Sequence, residues 1–482
     1  MQRDVLIIGG GPAGSAAAIT AARAGLKVAL FEKAPYGRDK VCGDGLTPRA
    51  IGALNELRID HSVAHRIDGL RMIAGKKERE LLWPATSRFP SHGAVWPRQR
   101  FDNHLLDVAI ASGADVRFDS EALPEMEGER VVGVRVGNDV YRAPFTILAA
   151  GAQGMAAKML GAERDPNETF GLAIRAYAPT PRHAERHLEA CLSLSDEHGT
   201  AVPGYGWMFP AGDGTVNIGV GALSTMKGFK KLNLNKLLDQ YAAIVKDSWS
   251  LGDYIEKPRA WRLPMSCMRR HGEGWVAIGD AAGFVNPMNG EGIDYGLESG
   301  MLAVQCYLED PATASVEYDK QVGERFDAFL RTGRRFSFII GHPWLLKPGL
   351  RIAVGTQTAA DITLSVMGNL IDSSTPGAAG RVASARHNDS NETFAPLASA
   401  RSSSRSACIA PAISRRAGAR AARVLAPTGR RGARQRPRRG CGEHPPRRVT
   451  YRWSIQHSAR MGRGSSPGAR ARPARPWRPP RG

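Results

Sequence analysis

A glycine-rich turn near the N-terminus constrains the fold of this chain more than any other segment. Residues 5–8 are a short apolar run typical of a buried strand, and residues 15–24 are rich in alanine, as helices often are. Gly9, Gly11 and Gly14 lie between them in the G-x-G-x-x-G spacing. In that spacing the first glycine makes a tight turn, the second lets a pyrophosphate approach the backbone, and the third lets the helix pack closely. The pattern predicts a dinucleotide-binding strand, turn and helix.

The start of that helix and the next strand add two further groups. Pro12 and Ala13 lie in the first turn, where backbone N–H groups and the positive end of the helix dipole face a bound phosphate. The apolar run at residues 27–31 ends at Glu32, whose carboxylate is placed to accept hydrogen bonds from ribose hydroxyls. The alternative is a glycine-rich turn with no ligand, and the acid in register favours the cofactor. This motif alone does not separate NAD from FAD.

A second glycine-rich segment makes that separation. Residues 275–278 are an apolar run typical of a strand, Asp280 follows them, and Gly290 and Gly292 precede a segment with helical spacing. A carboxylate that only accepts hydrogen bonds suits ribityl hydroxyls, and a glycine-rich helix start lets N–H groups approach a flavin edge. Taken alone, the segment also fits an ordinary capped helix after a strand. Because nicotinamide enzymes need no distant second cradle, the pair of segments indicates FAD.

The positive charge of the chain is confined to its C-terminal stretch. The 482 residues carry a net charge of +20. From residue 376 onwards there are 24 arginines, no lysine and three acids, a net charge of +21, which leaves residues 1–375 with −1. Arg, Pro, Ala, Gly and Ser dominate this stretch, and its apolar residues follow no period, so it cannot form a core. We therefore predict a disordered tail over residues 373–482.

Two interpretations of this tail stand side by side. A disordered arginine-rich arm would gain affinity for anionic lipid or nucleic acid by releasing counterions. Alternatively, a G/C-rich gene is translated out of frame here, since arginine codons are G/C-rich and lysine stops abruptly. The second interpretation is favoured, and no nucleic-acid partner is expected.

The composition before the tail is typical of a globular enzyme. Hydrophobic residues make up 42% of the chain, and residues 1–375 are enough for two joined domains. Cys42, Cys191, Cys267 and Cys306 have no C-x-x-C spacing, and no metal site is expected. The chain enters a strand too early for a signal peptide. We expect a cytoplasmic protein.

One segment bears on membrane contact. No apolar run approaches the roughly 20 residues needed to span a bilayer. Residues 336–350 come nearest, but Gly341, Pro343 and Pro348 interrupt them. A buried helix and loop is favoured for this segment, and an interfacial segment with peripheral contact at the inner face of the membrane is the alternative.

Alternation of apolar and aromatic residues predicts a second, sheet-based domain between the two glycine-rich segments. It occurs at residues 172–176, 205–209 and 216–220. We therefore predict an α/β fold in which a substrate domain interrupts the nucleotide-binding domain. The predicted boundaries are residues 1–165 for the first part of the FAD-binding domain, 166–262 for the antiparallel sheet, and 263–372 for the second part with C-terminal helices.

The order of these motifs, with Arg98-x-x-Phe-Asp among them, is similar to that in FAD-dependent oxidoreductases built like p-hydroxybenzoate hydroxylase. Within that group, residues 42–49 (CGDGLTPR) and 205–210 (YGWMFP) resemble the geranylgeranyl reductase family. The combination resembles the branch of that family that saturates one isoprene unit of the menaquinone side chain. The resemblance covers about residues 3–372. It implies a Rossmann-like FAD-binding domain and a hydrophobic prenylated lipid or quinone substrate.

The resemblance also implies roles for individual residues. At the adenosine end, the pyrophosphate would be held by Gly9, Gly11, Pro12, Ala13 and Gly14, the ribose by Glu32 with Lys33, and the adenine by the backbone of Ala122. Further along, Arg98 would contact the ribityl-phosphate region and Asp280 the ribityl chain. At the flavin, the isoalloxazine edge would be met by Gly290, Gly292 and Ile293, and the ring would be passed by Cys42, Gly43, Asp44 and Gly45. Tyr205, Trp207 and Phe209 would line the prenyl pocket. A sheet-domain core is the alternative for these aromatic residues, and for Phe209 it is equally favoured.

The chemistry of such a substrate narrows the catalytic candidates. An isolated prenyl double bond is not electrophilic, so hydride addition needs protonation of the alkene, with cationic character on a tertiary carbon. An acid in a dry pocket supplies the proton, and aromatic faces stabilise the cation. Tyr205 and Trp207 are the catalytic candidates for those faces. Cys42 is the candidate acid or positioning group, with a buried structural thiol as the alternative.

Other functions stay open on the same fold. A reductase of geranylgeranyl diphosphate or of a prenyl-glycerolipid shares the chemistry but needs a basic pocket for its headgroup. An aromatic monooxygenase or halogenase would use the flavin with oxygen. No second nucleotide motif occurs, so the electron donor is either transiently bound NADPH or a protein carrier.

Overall fold

The computed structural model describes residues 1–152 and 154–371, which form nineteen strands and ten α-helices joined by turns and loops. The strands are β1 (Val5–Ile8), β2 (Val28–Phe31), β3 (Gly45–Leu46), β4 (His65–Ile67), β5 (Gly69–Ala74), β6 (Lys77–Leu82), β7 (Gly93–Val95), β8 (Asp115–Arg117), β9 (Ala122–Glu127), β10 (Arg130–Val136), β11 (Asp139–Arg142), β12 (Phe145–Leu148), β13 (Phe170–Pro179), β14 (His187–Cys191), β15 (Gly204–Pro210), β16 (Thr215–Leu223), β17 (Arg259–Pro264), β18 (His271–Gly272) and β19 (Trp275–Ala277). The helices are α1 (Pro12–Arg23), α2 (Pro48–Glu56), α3 (Arg98–Ala111), α4 (Met155–Met159), α5 (Leu234–Trp249), α6 (Ile293–Glu309), α7 (Ala314–Val322), α8 (Ala328–Ile340), α9 (Pro343–Ala353) and α10 (Gln357–Met367). Short helical turns occur at Phe229–Lys231, Gly279–Ala282 and Gly323–Asp327.

A largely parallel sheet carries the nucleotide-binding part of the fold. Its strand order is β18–β19–β12–β1–β2–β8, and every pair except β18–β19 is parallel. Strands β1, β2 and β12 are fully buried along their length, which explains why each is a continuous apolar run. The predicted strand, glycine turn and helix at the N-terminus is present as β1, the turn, and α1.

Helices α1 and α6 pack closely beside this sheet, because glycine replaces a side chain at their contact. A Cβ atom on Gly300 of α6 would lie 2.4 Å from the Ala13 carbonyl oxygen of α1, and one on Gly296 would lie 3.4 Å from the Ala13 Cβ. These distances leave no room for a larger residue at position 300. The close approach brings the starts of both helices to the same end of the sheet.

A seven-stranded sheet forms the second layer, in the order β17–β13–β16–β15–β14–β5–β6. All its pairs are antiparallel except β14 with β5. Helix α5 covers one face, where Leu238, Tyr241 and Trp249 pack against Ile218 and Val220. The predicted combination of a parallel nucleotide-binding sheet with an antiparallel sheet is confirmed.

The chain segments that form this sheet extend beyond the predicted residues 166–262. Strands β5 and β6 come from residues 69–82, which the sequence prediction placed in the FAD-binding part. The parallel pairing of His187 with Gly69 attaches them to the sheet. Local sequence patterns do not show which distant strand an edge strand will pair with, so this extension was not predicted.

Two small antiparallel sheets and the C-terminal helices complete the described structure. The sheets have the orders β11–β10–β9 and β3–β7–β4. Helices α8, α9 and α10 lie within residues 328–367, which include the whole of the interrupted apolar segment at residues 336–350. None of the helices within residues 1–152 and 154–371 has both the length and the apolar character needed to cross a membrane. The tail predicted over residues 373–482 lies outside the described residues.

Candidate active site

The glycines after β1 have two different structural roles. A Cβ atom on Gly9, whose φ is +110°, would lie 2.3 Å from the Ala149 carbonyl oxygen, and one on Gly14 would lie 2.0 Å from the Gly9 carbonyl oxygen. These two positions therefore need glycine for packing. At Gly11 a Cβ atom would meet only the Arg38 guanidinium, at 3.7 Å. Gly11 thus leaves an open backbone face at the start of α1, which fits a bound pyrophosphate.

Glu32 lies at the end of β2 and braces this turn. Its Oε2 accepts a hydrogen bond of 2.8 Å from the Gly10 N–H, and its Oε1 accepts one of 3.0 Å from the Ala34 N–H. Arg38, which the sequence analysis missed, approaches the same carboxylate at 3.4 Å. The Glu32 carboxylate is therefore held rigidly at the turn, and its role as the ribose acceptor stays a prediction.

The two residues predicted beside Glu32 differ in their surroundings. Lys33 is exposed. Ala122 is buried at the first position of β9. The segment before it is tied to Glu32, since the Ser120 N–H donates to the Glu32 carbonyl oxygen at 2.9 Å. The backbone before Ala122 is therefore tied to Glu32, and the roles of Ala122 and Lys33 at the cofactor stay predictions.

The second glycine-rich segment meets the first across Ala13. A Cβ atom on Gly279 would lie 2.9 Å from the Ala13 Cβ, and one on Gly292 would lie 3.2 Å from the Asp280 Oδ1. Lys40 also binds Asp280, with 2.9 Å between Nζ and Oδ2. The two segments, distant in the chain, therefore form one continuous cradle, as a flavin dinucleotide that spans both requires.

A cavity of about 1080 Å³ opens from this cradle. It begins at residues 11–13 and Asp280, passes Gly290, Gly292 and Ile293, and continues between the aromatic residues of β15 and the C-terminal helices. Its far walls are apolar side chains, namely Phe329, Phe336, Leu346, Leu350, Ile362 and Val366. The interrupted apolar segment at residues 336–350 thus supplies part of a cavity wall.

Arg98 lies in the wall of this cavity and forms a buried ion pair with Asp102. It is 3% exposed, and its Nε and Nη2 donate to the two Asp102 oxygens at 2.7 and 2.8 Å. This pairing orients the guanidinium one helical turn into α3. Arg98 is therefore positioned at the cavity, with its charge balanced by Asp102.

Cys42 and Gly43 line the cavity near Arg98. The Cys42 Sγ accepts a hydrogen bond of 3.3 Å from the Asp44 N–H. Burial raises the pKa of the Cys42 thiol, and the nearby Arg98 charge only partly offsets this. Cys42 is therefore a neutral thiol at neutral pH, which suits a proton holder or a packing group better than a nucleophile.

Asp44 joins several elements behind this cavity wall. The residue is in the left-handed region, with φ of +66°. Its carboxylate accepts hydrogen bonds from the Tyr177 hydroxyl, from the Asn217 amide at 2.7 Å and from the Arg98 N–H at 3.1 Å. Burial nevertheless raises the pKa of Asp44 to about 6. Its side chain is committed to protein partners, so any contact with the cofactor falls to the backbone of this loop.

Gly45 is the last residue of that loop and packs against an aromatic ring. A Cβ atom on Gly45, or on Gly43, would lie 3.1 Å from the Phe209 ring. Phe209 therefore holds the loop in place as well as lining the cavity.

Tyr205, Trp207 and Phe209 form a continuous aromatic row, because alternate residues of a strand face the same side. The ring centroids are 5.8 Å apart for the first pair and 6.1 Å apart for the second. The Trp207 Nε1 donates to the Asn217 amide oxygen at 2.9 Å, which fixes its ring. A Cβ atom on Gly219 would lie 2.1 Å from that ring, so the neighbouring strand needs glycine there. The row lines the cavity, whereas the core under α5 is built from the opposite face, which includes Met208.

A cluster of buried acids lies behind the second glycine-rich segment, and the sequence analysis did not identify it. Arg49 pairs with Glu298 at 2.6 and 2.9 Å, and lies 3.4 Å from Asp294. Glu291 accepts from the Thr47 hydroxyl. Burial raises the pKa of Glu291 to about 7. A signal was available, since Glu291 lies between the two glycines of the predicted motif, but acids at Asp294 and Glu298 resemble ordinary polar helix positions.

Comparisons with known proteins agree with this geometry. Residues 2–305 match the model of the FAD binding domain family. The chain is 38% identical over 384 residues to a menaquinone reductase of Mycolicibacterium smegmatis, covering 77% of this chain and 92% of that protein. It is 29% identical over 344 residues to a digeranylgeranylglycerophospholipid reductase of Thermoplasma acidophilum, covering 68% and 83%.

A solved structure extends the likeness to three dimensions. The crystal structure of a geranylgeranyl bacteriochlorophyll reductase-like protein from Thermoplasma acidophilum superposes with a TM-score of 0.64 at 26% identity, covering 80% of this chain and 99% of that one. The open face at Gly11, the acceptor at Asp280 and the continuous cradle fit FAD. The chain belongs to the geranylgeranyl reductase family of FAD-dependent oxidoreductases.

Proposed function

We propose that this protein is an FAD-dependent reductase that saturates a C=C bond of a polyprenyl chain, and that the chain is the isoprenoid side chain of a menaquinone. The observation that carries this proposal is the cavity, which runs from the FAD cradle past Cys42 and the aromatic row to an apolar end at α8–α10. A long apolar substrate is what such a lining favours. The names of the similar reductases support the same substrate class.

We further propose that the individual residues have the roles expected from the sequence. Gly11 to Gly14 hold the pyrophosphate, Glu32 the adenosine ribose, and Asp280 the ribityl chain. FAD, once reduced, supplies the hydride. Tyr205 and Trp207 present aromatic faces to the developing cation and exclude water from it. Cys42 lies at the reacting face, where its neutral thiol either holds the proton or positions the alkene.

The polar side chains in the cavity wall favour a quinone side chain over a diphosphate substrate. Among the described lining residues the cations are Lys40, Arg98, Arg175 and Arg325. Lys40, Arg98 and Arg175 each pair with a carboxylate, and Arg325 donates to Gln321. A diphosphate would have to compete with these partners. The headgroup of a prenyl-glycerolipid would have to compete with the same partners if it entered the cavity. A substrate for aromatic hydroxylation or halogenation would leave the apolar end of the cavity unused.

A single-turnover reaction tests the proposed function. The purified holoenzyme is photoreduced without oxygen, mixed with menaquinone or geranylgeranyl diphosphate, and the lipid is analysed by mass spectrometry. We expect menaquinone to gain two hydrogens in its side chain. Absence of any hydrogenated product from both substrates would remove the reductase proposal. Cys42→Ala should retain FAD and slow this step, and an unchanged rate would remove Cys42 from the mechanism.

The electron donor is either NADPH or a protein carrier, and one measurement separates the two. Anaerobic NADPH bleaches the oxidised flavin absorbance if NADPH is the direct donor. If the flavin stays oxidised, a carrier protein delivers the electrons.

We also propose that the cavity mouth contacts a membrane surface, where a menaquinone would be found. Phe336 and Ile352 line the cavity and are 42% and 74% exposed. Arg331, Arg335 and Arg351 are exposed on the same helices, α8 and α9. Apolar side chains ringed by cations suit an anionic bilayer.

A vesicle-binding assay tests this contact. Ile352→Asp should weaken co-sedimentation with phosphatidylglycerol vesicles, whereas Ile244→Asp, at an exposed apolar position on α5, should not. Equal binding of both variants would contradict the proposed contact.

A further inference from the structure

Glu291 lies between two residues of the cavity wall. Gly290 and Gly292 both line the cavity. The Glu291 carboxyl turns away from the open space, where its Oε1 accepts from the Thr47 hydroxyl and its Oε2 accepts from the Asn289 amide at 3.2 Å. The same loop is tied to the aromatic row, since the Tyr205 hydroxyl donates to the Asn289 carbonyl oxygen at 2.6 Å. Glu291 is thus an ionisable group held directly behind the cavity wall.

Asp294 lies in the first turn of α6, close behind Glu291, and is fully buried. Neither of its carboxyl oxygens has a hydrogen-bond partner among the described residues. Arg49 Nε approaches one oxygen at 3.4 Å, but its short hydrogen bonds go to Glu298. Burial disfavours a carboxylate without donors more strongly than the helix dipole favours it. Asp294 is therefore a carboxyl group that keeps its proton.

Charge balance in the cluster leads to the same conclusion. The three carboxyls of Glu291, Asp294 and Glu298 share the Arg49 guanidinium. Glu298 takes the short bonds to Arg49, and the pKa of Glu298 is lowered, by that charge and by those of Arg88 and Arg325.

The remaining two carboxyls are left without a countercharge of their own. Burial raises the pKa of Glu291 to about 7, and burial together with the neighbouring Glu291 raises the pKa of Asp294. Tyr205 and Tyr295, the phenols beside them, stay neutral because burial raises their pKa values too. At neutral pH this pair therefore retains at least one proton.

We propose that Glu291 and Asp294 form the proton store for alkene reduction, with Glu291 next to the cavity wall and Asp294 as its reserve. This inference rests on the proposed prenyl reductase function. In the reaction the alkene π bond breaks and two C–H bonds form. The hydride brings an electron pair from the reduced flavin, which is oxidised. The proton comes from the Glu291 carboxyl, which becomes a carboxylate and regains a proton from Asp294 and then from solvent.

The first test measures the stored proton without any turnover. Infrared spectra of the oxidised holoenzyme should show a protonated carboxyl C=O band that shifts in D₂O, and the Glu291 part of this band should disappear as the pH rises through about 7. Glu291→Gln should remove the part that titrates near neutrality. Glu309→Gln, at an exposed acid on the same helix, should leave the band unchanged. A spectrum of Glu291→Gln identical to that of the native protein overturns the proposal.

The second test follows a single turnover of the photoreduced enzyme against pH. The native rate should fall tenfold for each pH unit well above 7, because one proton is lost from the store. Glu291→Gln should be at least tenfold slower at pH 6 and nearly independent of pH, and Glu309→Gln should behave as the native enzyme. A native rate and pH profile in Glu291→Gln overturns the proposal.

Two further variants separate proton storage from a structural role. Asp294→Asn removes the reserve proton but no charge, so repeated turnover should slow while the midpoint of the single-turnover pH profile stays near that of the native enzyme. Thr47→Val removes the donor that stabilises the Glu291 carboxylate, so the midpoint should move to higher pH. A loss of folding alone does not move the midpoint, and an unmoved midpoint in folded Thr47→Val overturns the proposal. If the native enzyme hydrogenates no prenyl substrate, the proposed function fails, and the infrared titration still decides whether the proton store exists.

Discussion

The Lys40 ammonium lies 2.9 Å from the Asp280 carboxylate, although the two residues are 240 positions apart in the chain. Lys40 follows β2, whereas Asp280 lies in the turn after β19. The same ammonium lies 5.9 Å from the centre of the Trp261 ring. This ion pair ties the loop after β2 to the second glycine-rich segment, so this part of the cradle is preorganised for its ligand.

Removal of the Asp280 carboxylate should weaken FAD binding. A hydrogen bond to a charged group contributes about 1.5–3 kcal/mol, so we expect Asp280→Ala to lower FAD affinity by roughly 10- to 100-fold. Titration of the apoprotein with FAD, followed by flavin fluorescence, measures this. Asp253→Ala, at an exposed acid, is the matched control. An unchanged dissociation constant in Asp280→Ala would remove it from the ribityl site.

Alanine at Gly14 should destabilise the apoprotein, whereas alanine at Gly11 should not. A Cβ atom on Gly14 would lie 2.0 Å from the Gly9 carbonyl oxygen, so Gly14→Ala should destabilise the apoprotein by about 1–3 kcal/mol or more. Gly11 has an extended backbone with φ of −76° and open space beside it, so Gly11→Ala should fold normally yet lose FAD. Thermal unfolding and FAD titration of both variants check this. Tight FAD binding by Gly11→Ala would contradict the pyrophosphate role.

The free energy of unfolding should depend on Asp44 in a particular pH window. Folding raises the pKa of Asp44 from 3.8 to about 6, so the folded state holds this proton more tightly than the unfolded state. The stabilisation from this proton is complete below about pH 4 and is lost as the pH rises through about 6, an effect on the order of 2–3 kcal/mol. Asp44→Asn cannot lose that proton. Denaturant unfolding at pH 4 and pH 7 should therefore show the native protein losing stability relative to Asp44→Asn, and parallel pH curves would contradict this.

Arg49 should be essential for the stability of the fold around α2 and α6. Its guanidinium is 4% exposed, pairs with Glu298, and lies 4.4 Å from the centre of the Tyr295 ring. Loss of one partner from a buried pair costs about 3–5 kcal/mol, so Arg49→Met should be destabilised by that amount at pH 8. The loss should be smaller at pH 5, where the freed carboxyls can take up protons. Arg130→Met, at an exposed arginine, serves as the control in denaturant unfolding.

Local sequence patterns were sufficient for the elements that hold the cofactor. Gly9, Gly11 and Gly14 are informative because strand, turn and helix are adjacent in the chain. Gly9 and Gly14 are needed for packing, whereas Gly11 leaves an open backbone face. Asp280 is informative in the same way, since it follows β19 directly. Both segments could therefore be identified from their own residues.

Other parts of the site could not be predicted, because they depend on contacts between distant segments. Lys40 and Arg38 are ordinary surface cations in the sequence, and only the folded chain brings them to Asp280 and Glu32. Phe209 was equally compatible with a sheet core. The packing of β15 against residues 43–45 decided that it lies at the cavity.

The sequence by itself determined the two glycine-rich segments, the α/β class and the aromatic row at Tyr205 and Trp207, because each depends on residues close together in the chain. The tertiary structure decided which cavity those segments share, that strands from residues 69–82 complete the antiparallel sheet, and that Glu291 and Asp294 are enclosed with too few countercharges. Burial sets the charge state of an acid, and burial is a property of the folded chain. The glycine-rich segments therefore predict the cofactor, whereas only the folded structure indicates that the Glu291 and Asp294 carboxyls can keep a proton near the cofactor cradle.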